Sequence, residues 1–162
     1  MLTKGSYFDR YIDQVEDLEL IQALEQSLLD LDHLPIAEWR ALGNWTYAEG
    51  KWTLPDIIQH IIDTERVFCY RTLSFARLDP NVPPGYNEDE YARNARASRK
   101  TIDQVLDELK IVRQSTIAMF NSFDETDLNQ IGTCWKYPMN VRSMGYILAG
   151  HQKHHLTVIK ER

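Results

Sequence analysis

Four long stretches of this chain carry apolar residues at intervals of three and four positions, and this periodicity is the feature that most constrains its fold. They run from about Tyr7 to Leu31, from Thr53 to Arg77, from Ser98 to Phe123, and from Asn140 to the end. Each is predicted to be an amphipathic α-helix, the first as one long helix or as a short and a long one. Because no strand pattern competes, the sequence predicts an all-α four-helix bundle with long connecting loops.

Local signals mark several ends of these elements. Thr53 is predicted to cap the second helix, because its hydroxyl can accept a hydrogen bond from a free N–H and Pro55 suits the first turn. Asn140 is predicted to cap the last helix in the same way. The prolines and glycine between Asp79 and Asn87 predict a loop, and a short helix from Glu88 to Arg96 follows it.

Composition limits the class of protein. A length of 162 residues fits one domain, residues 1–162, with enough chain to bury a core without disulfides. A net charge of -6 gives no electrostatic reason to bind nucleic acid or an anionic membrane. Cys69 and Cys134 form no C-x-x-C motif, and no apolar run suits a signal peptide or a membrane span. We therefore expect a cytoplasmic protein with free thiols.

Two histidines on the last predicted helix, His151 and His155, carry the clearest functional signal. Side chains at i and i+4 project from one helix face, so two imidazoles in this spacing can bind one metal ion. The stripe that contains them is otherwise apolar and should face the core: Met144, Ile147, Leu148, Val158 and Ile159. His154 lies about 60° from His151 toward the edge of this stripe, so we expect it outside the site.

The third predicted ligand is His60, on the edge of the apolar face of the second helix. Three neutral imidazoles with one open position are typical of catalytic zinc, whereas structural zinc more often has four protein ligands that include cysteine. Imidazole also binds nickel, iron and copper. The competing interpretation is that these are core histidines held by hydrogen bonds.

The segments that contain these histidines resemble the DinB-like (YfiT-like) family. One segment spans Gly50 to Arg71 and reads Gly-Lys-Trp-Thr-Leu-Pro-Asp-Ile-Ile-Gln-His-Ile-Ile-Asp-Thr-Glu-Arg-Val-Phe-Cys-Tyr-Arg. The other reads Ala-Gly-His-Gln-Lys-His-His-Leu from Ala149 to Leu156. The resemblance covers nearly the whole chain.

This resemblance implies a four-helix bundle in which His60, His151 and His155 hold a divalent metal, usually zinc or nickel. Dimers are common in the family, so it also implies a homodimer. Several relatives are S-transferases or isomerases that use a low-molecular-weight thiol such as bacillithiol, mycothiol or glutathione. Most are designated only as metal-dependent hydrolases, so the resemblance defines the metal site better than the reaction.

The residues beside the ligands narrow the reaction. His151 and His155 have the spacing of the zincin motif H-E-x-x-H, but Gln152 replaces the glutamate base, which argues against a peptidase of that type. A ferritin-like di-iron site needs a glutamate three residues before each histidine, and Ile57 and Leu148 stand there. Metal coordination lowers the pKa of a bound thiol or water, so thiol S-transfer and simple hydrolysis both remain open.

Three further residues are candidates near the site. Arg71 lies three turns beyond His60 on nearly the same edge, where it would bind a substrate carboxylate or, as we favour, form a buried ion pair. Tyr86 would line the mouth of a substrate pocket or only form a turn. Asp63 would orient a ligand or, as we favour, be a surface acid.

Two classes of function remain at this stage. The first is a metal-dependent enzyme that acts on a small molecule by thiol S-transfer or hydrolysis. The second is a non-catalytic, stress-linked bundle with a structural metal. A cavity beside an open metal position would favour the enzyme.

Overall fold

The computed structural model describes residues 1–46 and 48–160 of the chain. Helices dominate these ranges. The helices are α1 (Asp9–Ile12), α2 (Leu20–Leu29), α3 (Ile36–Leu42), α4 (Leu54–Ala76), α5 (Glu88–Ala95), α6 (Ile102–Asn121), α7 (Glu125–Leu128) and α8 (Val141–Lys160), and the strands are β1 (Ile131–Cys134) and β2 (Tyr137–Asn140). None of the helices in the described ranges is long and apolar enough to cross a membrane.

The four long helices α2, α4, α6 and α8 form the predicted bundle, in which α2 and α4 each pack against both α6 and α8. The first predicted stretch is a short helix followed by a long one, because the turn at residues 13–19 separates α1 from α2. The predicted short helix after the proline-rich loop is present as α5, and the connections also contain α3 and α7, which the sequence patterns did not predict.

Side-chain caps fix the starts of the long helices. Thr53 and Asp56 form a reciprocal capping box at α4, and the Asn140 side chain accepts a hydrogen bond from the backbone N–H of Ser143 at 2.8 Å. Both predicted caps are therefore confirmed. The third long helix begins at Ile102 instead of Ser98, because Thr101 forms a capping box of its own.

A β-hairpin replaces part of the loop predicted between α6 and α8. Strands β1 and β2 are antiparallel, and a two-residue turn at Trp135 and Lys136 joins them. The expectation of no strand was wrong. Turns of this length usually show Gly or Asn where φ is positive, whereas here Trp135 takes a φ of 58°. The hairpin therefore lacks the sequence signal by which short hairpins are recognised.

The core consists of two hydrophobic clusters, one around Phe68 and Phe120 and the other around Ile61 and Leu109. On each of the four bundle helices, buried polar residues lie in sequence between members of the two clusters. These residues are Ser27 on α2, Glu65 on α4, Arg113 and Thr116 on α6, and Gln152 on α8. A polar layer thus crosses the bundle.

The centre of this layer is an ion pair between Arg113 and Glu65, whose side chains are 0% and 1% exposed. The Arg113 Nε and Nη2 groups donate to the two carboxylate oxygens of Glu65, each at 2.8 Å. Arg113 also donates to the Ser27 hydroxyl and to the Leu148 carbonyl. Its charge is neutralised and its donors are used, which is the condition for a buried ion pair to be tolerated.

Candidate metal centre

The structure brings the three predicted histidines together between α4 and α8. The Nε2 atom of His151 lies 3.2 Å from Nε2 of His60 and 3.0 Å from Nε2 of His155. The three ligand atoms all lie within 4.8 Å of one another. Rings from two helices therefore present the same nitrogen to one point, the arrangement expected for ligands of a shared ion.

Burial keeps the imidazoles of His60 and His151 neutral. His60 and His151 are each 6% exposed, and His155 is half-buried. Burial lowers the pKa of His60 to about 4, although the nearby Asp89 carboxylate acts in the opposite direction. The pKa of His151 is held well below its ordinary value by burial, and the neighbouring imidazoles lower it further. Only a neutral imidazole binds a metal, so these rings have the required protonation state at neutral pH.

Aromatic residues from outside α4 and α8 hold the rings in place. The Tyr11 ring lies 5.2 Å from the ring of His151, and the Trp52 ring lies 5.0 Å from the ring of His60. Tyr11 comes this close because Gly150 has no side chain: a Cβ there would lie 2.0 Å from the Tyr11 carbonyl oxygen. The close approach of α1 to α8 thus depends on the glycine at this position.

The two nitrogen separations that involve His151 fit a divalent metal. Metal–nitrogen bonds of about 2.0–2.1 Å put imidazole nitrogens about 2.9 Å apart at a right angle and about 3.3 Å apart at a tetrahedral angle. The measured 3.0 and 3.2 Å lie between these limits. Among the described residues the ligand cluster consists of these three histidines alone, which leaves a coordination position for a ligand from outside the protein.

Of the neighbouring residues, His154 lies where it was predicted, whereas Asp63 is half-buried and is not the surface acid that we favoured. His154 lies outside the cluster, with its ring 5.5 Å from the ring of Tyr11. Gln152 points into the polar layer, where its amide nitrogen donates to the Ser27 carbonyl. Asp63 accepts a hydrogen bond from Gln59 at 2.9 Å, one turn from His60 on α4.

Two cavities flank the cluster. The first, of about 420 Å³, is lined by His151 and mainly by apolar and aromatic side chains. The second, of about 360 Å³, is lined by His155 and Trp52. The Asp89 carboxylate, in the first turn of α5, lines both cavities.

The larger cavity contains both predicted substrate-binding residues, Arg71 and Tyr86. The phenol oxygen of Tyr86 lies 2.7 Å from the Thr64 hydroxyl, and burial raises the pKa of Tyr86 to about 12. Tyr86 is therefore a neutral hydrogen-bonding group. The guanidinium of Arg71, 4% exposed, lies 5.9 Å from the centre of the Tyr86 ring.

The buried ion pair that we favoured for Arg71 is wrong. Among the residues that the structure describes, no carboxylate lies within 4.0 Å of its guanidinium nitrogens. Its hydrogen bonds go to the carbonyl of Pro84 at 2.9 Å and to Sγ of Cys134 at 3.7 Å. Arg71 and Glu65 share α4, but the glutamate is bound to Arg113 instead.

Sequence reasoning missed the acidic residues of the cavity. Glu88 and Asp89 form the acidic start of α5, and both also line the cavity. Trp135 lines it as well, because the unexpected hairpin carries it there. The acidic residues at the start of α5 are visible in the sequence. Whether they face the cavity depends on how the loop at residues 79–87 folds.

A four-helix bundle with a buried histidine cluster between two of its long helices defines the class of protein. The family model described as the DinB superfamily matches residues 21–159, which is most of the chain. The chain belongs to this family, and the resemblance seen in its sequence is confirmed.

Individual relatives are more distant. A protein from Geobacillus kaustophilus, provisionally named a metal-dependent hydrolase, is 30% identical over 117 residues, which cover 69% of this chain and 64% of that protein. The match thus spans less than two thirds of that relative's length. YfiT from Bacillus subtilis, for which metal-dependent hydrolysis has been inferred, has an unusual four-helix bundle topology.

The structural comparisons support the fold. YfiT superposes with a TM-score of 0.75 at 16% identity, covering 98% of this chain and 87% of YfiT. A structure from Streptococcus pneumoniae superposes with a TM-score of 0.58 at 13% identity, covering 99% of this chain and 94% of that one. At these identities the likeness shows a shared fold and nothing finer.

Proposed function

We propose that this chain is a metal-dependent enzyme that hydrolyses a small organic molecule bound in the larger cavity. The observation that carries the proposal is the convergence of three Nε2 atoms beside a mainly apolar cavity that one of the three residues, His151, lines. Cavities of this kind are typical of small-molecule sites. The provisional names of the Geobacillus and Bacillus relatives point in the same direction.

In this proposal His60, His151 and His155 hold zinc or nickel, since imidazole suits both metals. The ion would act as a Lewis acid and would lower the pKa of a coordinated water or thiol. Helix α8 offers no carboxylate base beside the histidines, because Gln152 stands there and binds the Ser27 carbonyl. Asp89 lines the cavities on both sides of the cluster, so we assign it the role of proton acceptor.

Thiol S-transfer is the second candidate. The glutamine at position 152, where a carboxylate base would otherwise stand, favours this reaction. A thiol that is activated by coordination to a metal needs no carboxylate base. The two candidates use the same ligands and the same cavity, and they differ in whether water or a low-molecular-weight thiol supplies the nucleophile.

A paired activity screen tests the proposal. Metal-loaded protein is assayed against carboxylic esters, amides and lactones, and in parallel against electrophiles such as monochlorobimane with glutathione, bacillithiol or mycothiol. We expect turnover in the hydrolytic arm that is lost on metal removal and in His151→Ala. Turnover in the thiol arm alone would favour the transferase. No turnover in either arm by fully loaded protein would contradict the proposal and favour a structural metal.

The role of Asp89 has a matched control on the same helix. Asp89→Asn should keep the metal content of wild type but lower hydrolysis by about a hundredfold or more, the usual contribution of a general base. Glu90→Gln, at an exposed residue of α5 outside both cavities, should keep wild-type turnover. Equal rates in the two variants would show that Asp89 is not the proton acceptor.

A further inference from the structure

Arg71 is a buried cation that the surrounding protein does not neutralise. Its hydrogen bonds go to the Pro84 carbonyl and to the Cys134 sulfur, and burial raises the pKa of the Cys134 thiol, so both acceptors are uncharged. The Nε atom of Arg71 is buried and has no hydrogen-bond partner in the described part of the chain. A guanidinium has five N–H groups in one plane, so two hydrogen bonds leave several of them unused, and Arg71 is one of the residues that line the larger cavity.

The cavity connects this cation to the histidine cluster. His60, Thr64, Phe68 and Arg71 follow one another along α4 at spacings of four, four and three residues, which puts them on one helix face. Eleven residues of α-helix rise about 16 Å, so the two ends are about three turns apart. Since Arg71 and His151 line the same cavity, one elongated molecule can contact both.

The walls between the two ends are largely aromatic. The Arg71 guanidinium lies 5.3 Å from the centre of the Phe68 ring and 5.9 Å from that of the Tyr86 ring. Aromatic faces attract a cation without neutralising it, and they also bury apolar ligand surface. Glu88 and Asp89 line the same cavity but lie beyond 4.0 Å from the guanidinium. Their negative charge disfavours a polyanion, so the cavity suits a ligand with a single negative charge.

From these observations we infer that Arg71 forms a subsite for the carboxylate of a mostly apolar small molecule whose reacting end lies toward His151. The planar fork of arginine matches the two oxygens of a carboxylate, which carries the single negative charge that this cavity suits. The inference rests on the proposed function, because it names the class of molecule on which the enzyme would act. The carboxylate belongs either to the substrate or to a thiol cosubstrate.

Matched acids and amides test the subsite without knowledge of the substrate. Phenylacetate, hydrocinnamate and phenylbutyrate are titrated into wild-type protein by calorimetry, each beside its primary amide, which has the same shape and no charge. We expect the best-fitting acid to bind about tenfold or more tightly than its amide, the usual gain from a charge-assisted hydrogen bond. Equal affinities for acid and amide at every chain length exclude a substrate carboxylate of this kind, and equal affinities in the thiol pair described below as well would overturn the inference.

Two arginines on the same helix provide the control. Arg71→Met removes the charge at similar volume, and Arg66→Met does the same at a half-exposed side chain that pairs with Glu108. The preference for the acid should be lost in Arg71→Met and kept in Arg66→Met. A preference that survives Arg71→Met would overturn the inference. If Arg71→Met does not fold, the acid and amide affinities of wild-type protein still test the subsite. Arg71→Lys then provides a second variant, which should show a reduced preference for the acid because lysine lacks the fork.

Metal-free protein separates the subsite from direct binding of a carboxylate to the metal. A preference for the acid that persists without metal supports Arg71 as the partner, whereas a preference that vanishes with the metal would overturn the subsite and leave the proposed enzyme standing. A protein without turnover that keeps an Arg71-dependent preference would contradict the proposed function alone.

A second pair of probes identifies the source of the carboxylate. Mercaptopropionate and its amide are titrated in the same way. An Arg71-dependent preference in this pair assigns the subsite to a thiol cosubstrate, and the same preference in the aryl pairs assigns it to the substrate. Absence of the preference from both sets would overturn the inference.

Discussion

Arg113 and Arg71 lie in the interior of the same bundle and differ in almost everything that surrounds them. Arg113 is 0% exposed, and both oxygens of the Glu65 carboxylate accept its hydrogen bonds. Arg71 is 4% exposed, and its two acceptors are an uncharged carbonyl and a thiol. A buried charge is stable only when it is paired or when its cost is offset elsewhere. The difference teaches that the polar layer serves the fold, whereas the Arg71 end of the cavity holds an unpaired charge, which is the basis for the ligand subsite that we propose there.

The largest effect on stability is expected at the paired arginine. Glu65→Ala leaves Arg113 buried without its counter-ion, which should lower the free energy of unfolding by about 3–5 kcal/mol. The measurement is chemical denaturation of purified protein. The double variant Glu65→Leu/Arg113→Met, which removes both charges, should recover most of the loss. A Glu65→Ala protein as stable as wild type would end the distinction between the two arginines.

Acidification of metal-free protein is expected to have a smaller effect on stability. This effect arises at His60, in the histidine cluster beside the cavity. The pKa of His60 is about 4 in the folded protein against an ordinary value of 6.5. Between these values the unfolded chain takes up a proton at His60 that the folded chain does not, so stability falls as the pH falls. The contribution of His60 across this window is on the order of 3 kcal/mol.

Denaturation of chelator-treated protein at a series of pH values measures this loss. His60→Phe should flatten the pH profile, while His33→Gln, at an exposed histidine, should keep it. An unchanged profile in His60→Phe would mean that other groups cause the pH dependence. Metal-loaded protein should lose its metal in the same window, because protons compete for the imidazoles.

The smallest change in stability is expected at the unpaired arginine. Arg71→Met removes a charge that no carboxylate balances, so the free energy of unfolding should stay within about 1 kcal/mol of wild type or rise. The same denaturation experiment checks this. A loss comparable to that of Glu65→Ala would show that Arg71 has a structural role and would remove the contrast on which the ligand argument depends.

Local patterns predicted the helices and their caps well, because periodicity and capping depend on residues a few positions apart. Thr53 and Asn140 are examples. The partner of a buried arginine depends on distances between helices, and for this reason Arg71 was assigned an ion pair that it does not form. The pair that does exist had a weak signal, since Arg113 and Thr116 interrupt an apolar stripe that contains Leu109 and Phe120.

For the same reason, some residues of the candidate site could be predicted from the sequence and others could not. Histidines four residues apart on an apolar helix face have few arrangements, so the cluster of His60, His151 and His155 followed from spacing and helix position. The fold of a loop brings Asp89 to the cavity, and an unexpected hairpin brings Trp135 there. Short-range sequence patterns predict neither of these two arrangements.

The central claim is that His60, His151 and His155 bind a divalent metal, and the metal content of two neighbouring variants tests it most directly. His155 is in the cluster and His154 is not, although both are half-buried on α8. Elemental analysis of purified protein should find roughly one zinc or nickel ion per chain in wild type. His154→Ala should keep nearly all of it, and His155→Ala should lose most of it. Equal metal content in the two variants, or loss in His154→Ala alone, would contradict the account.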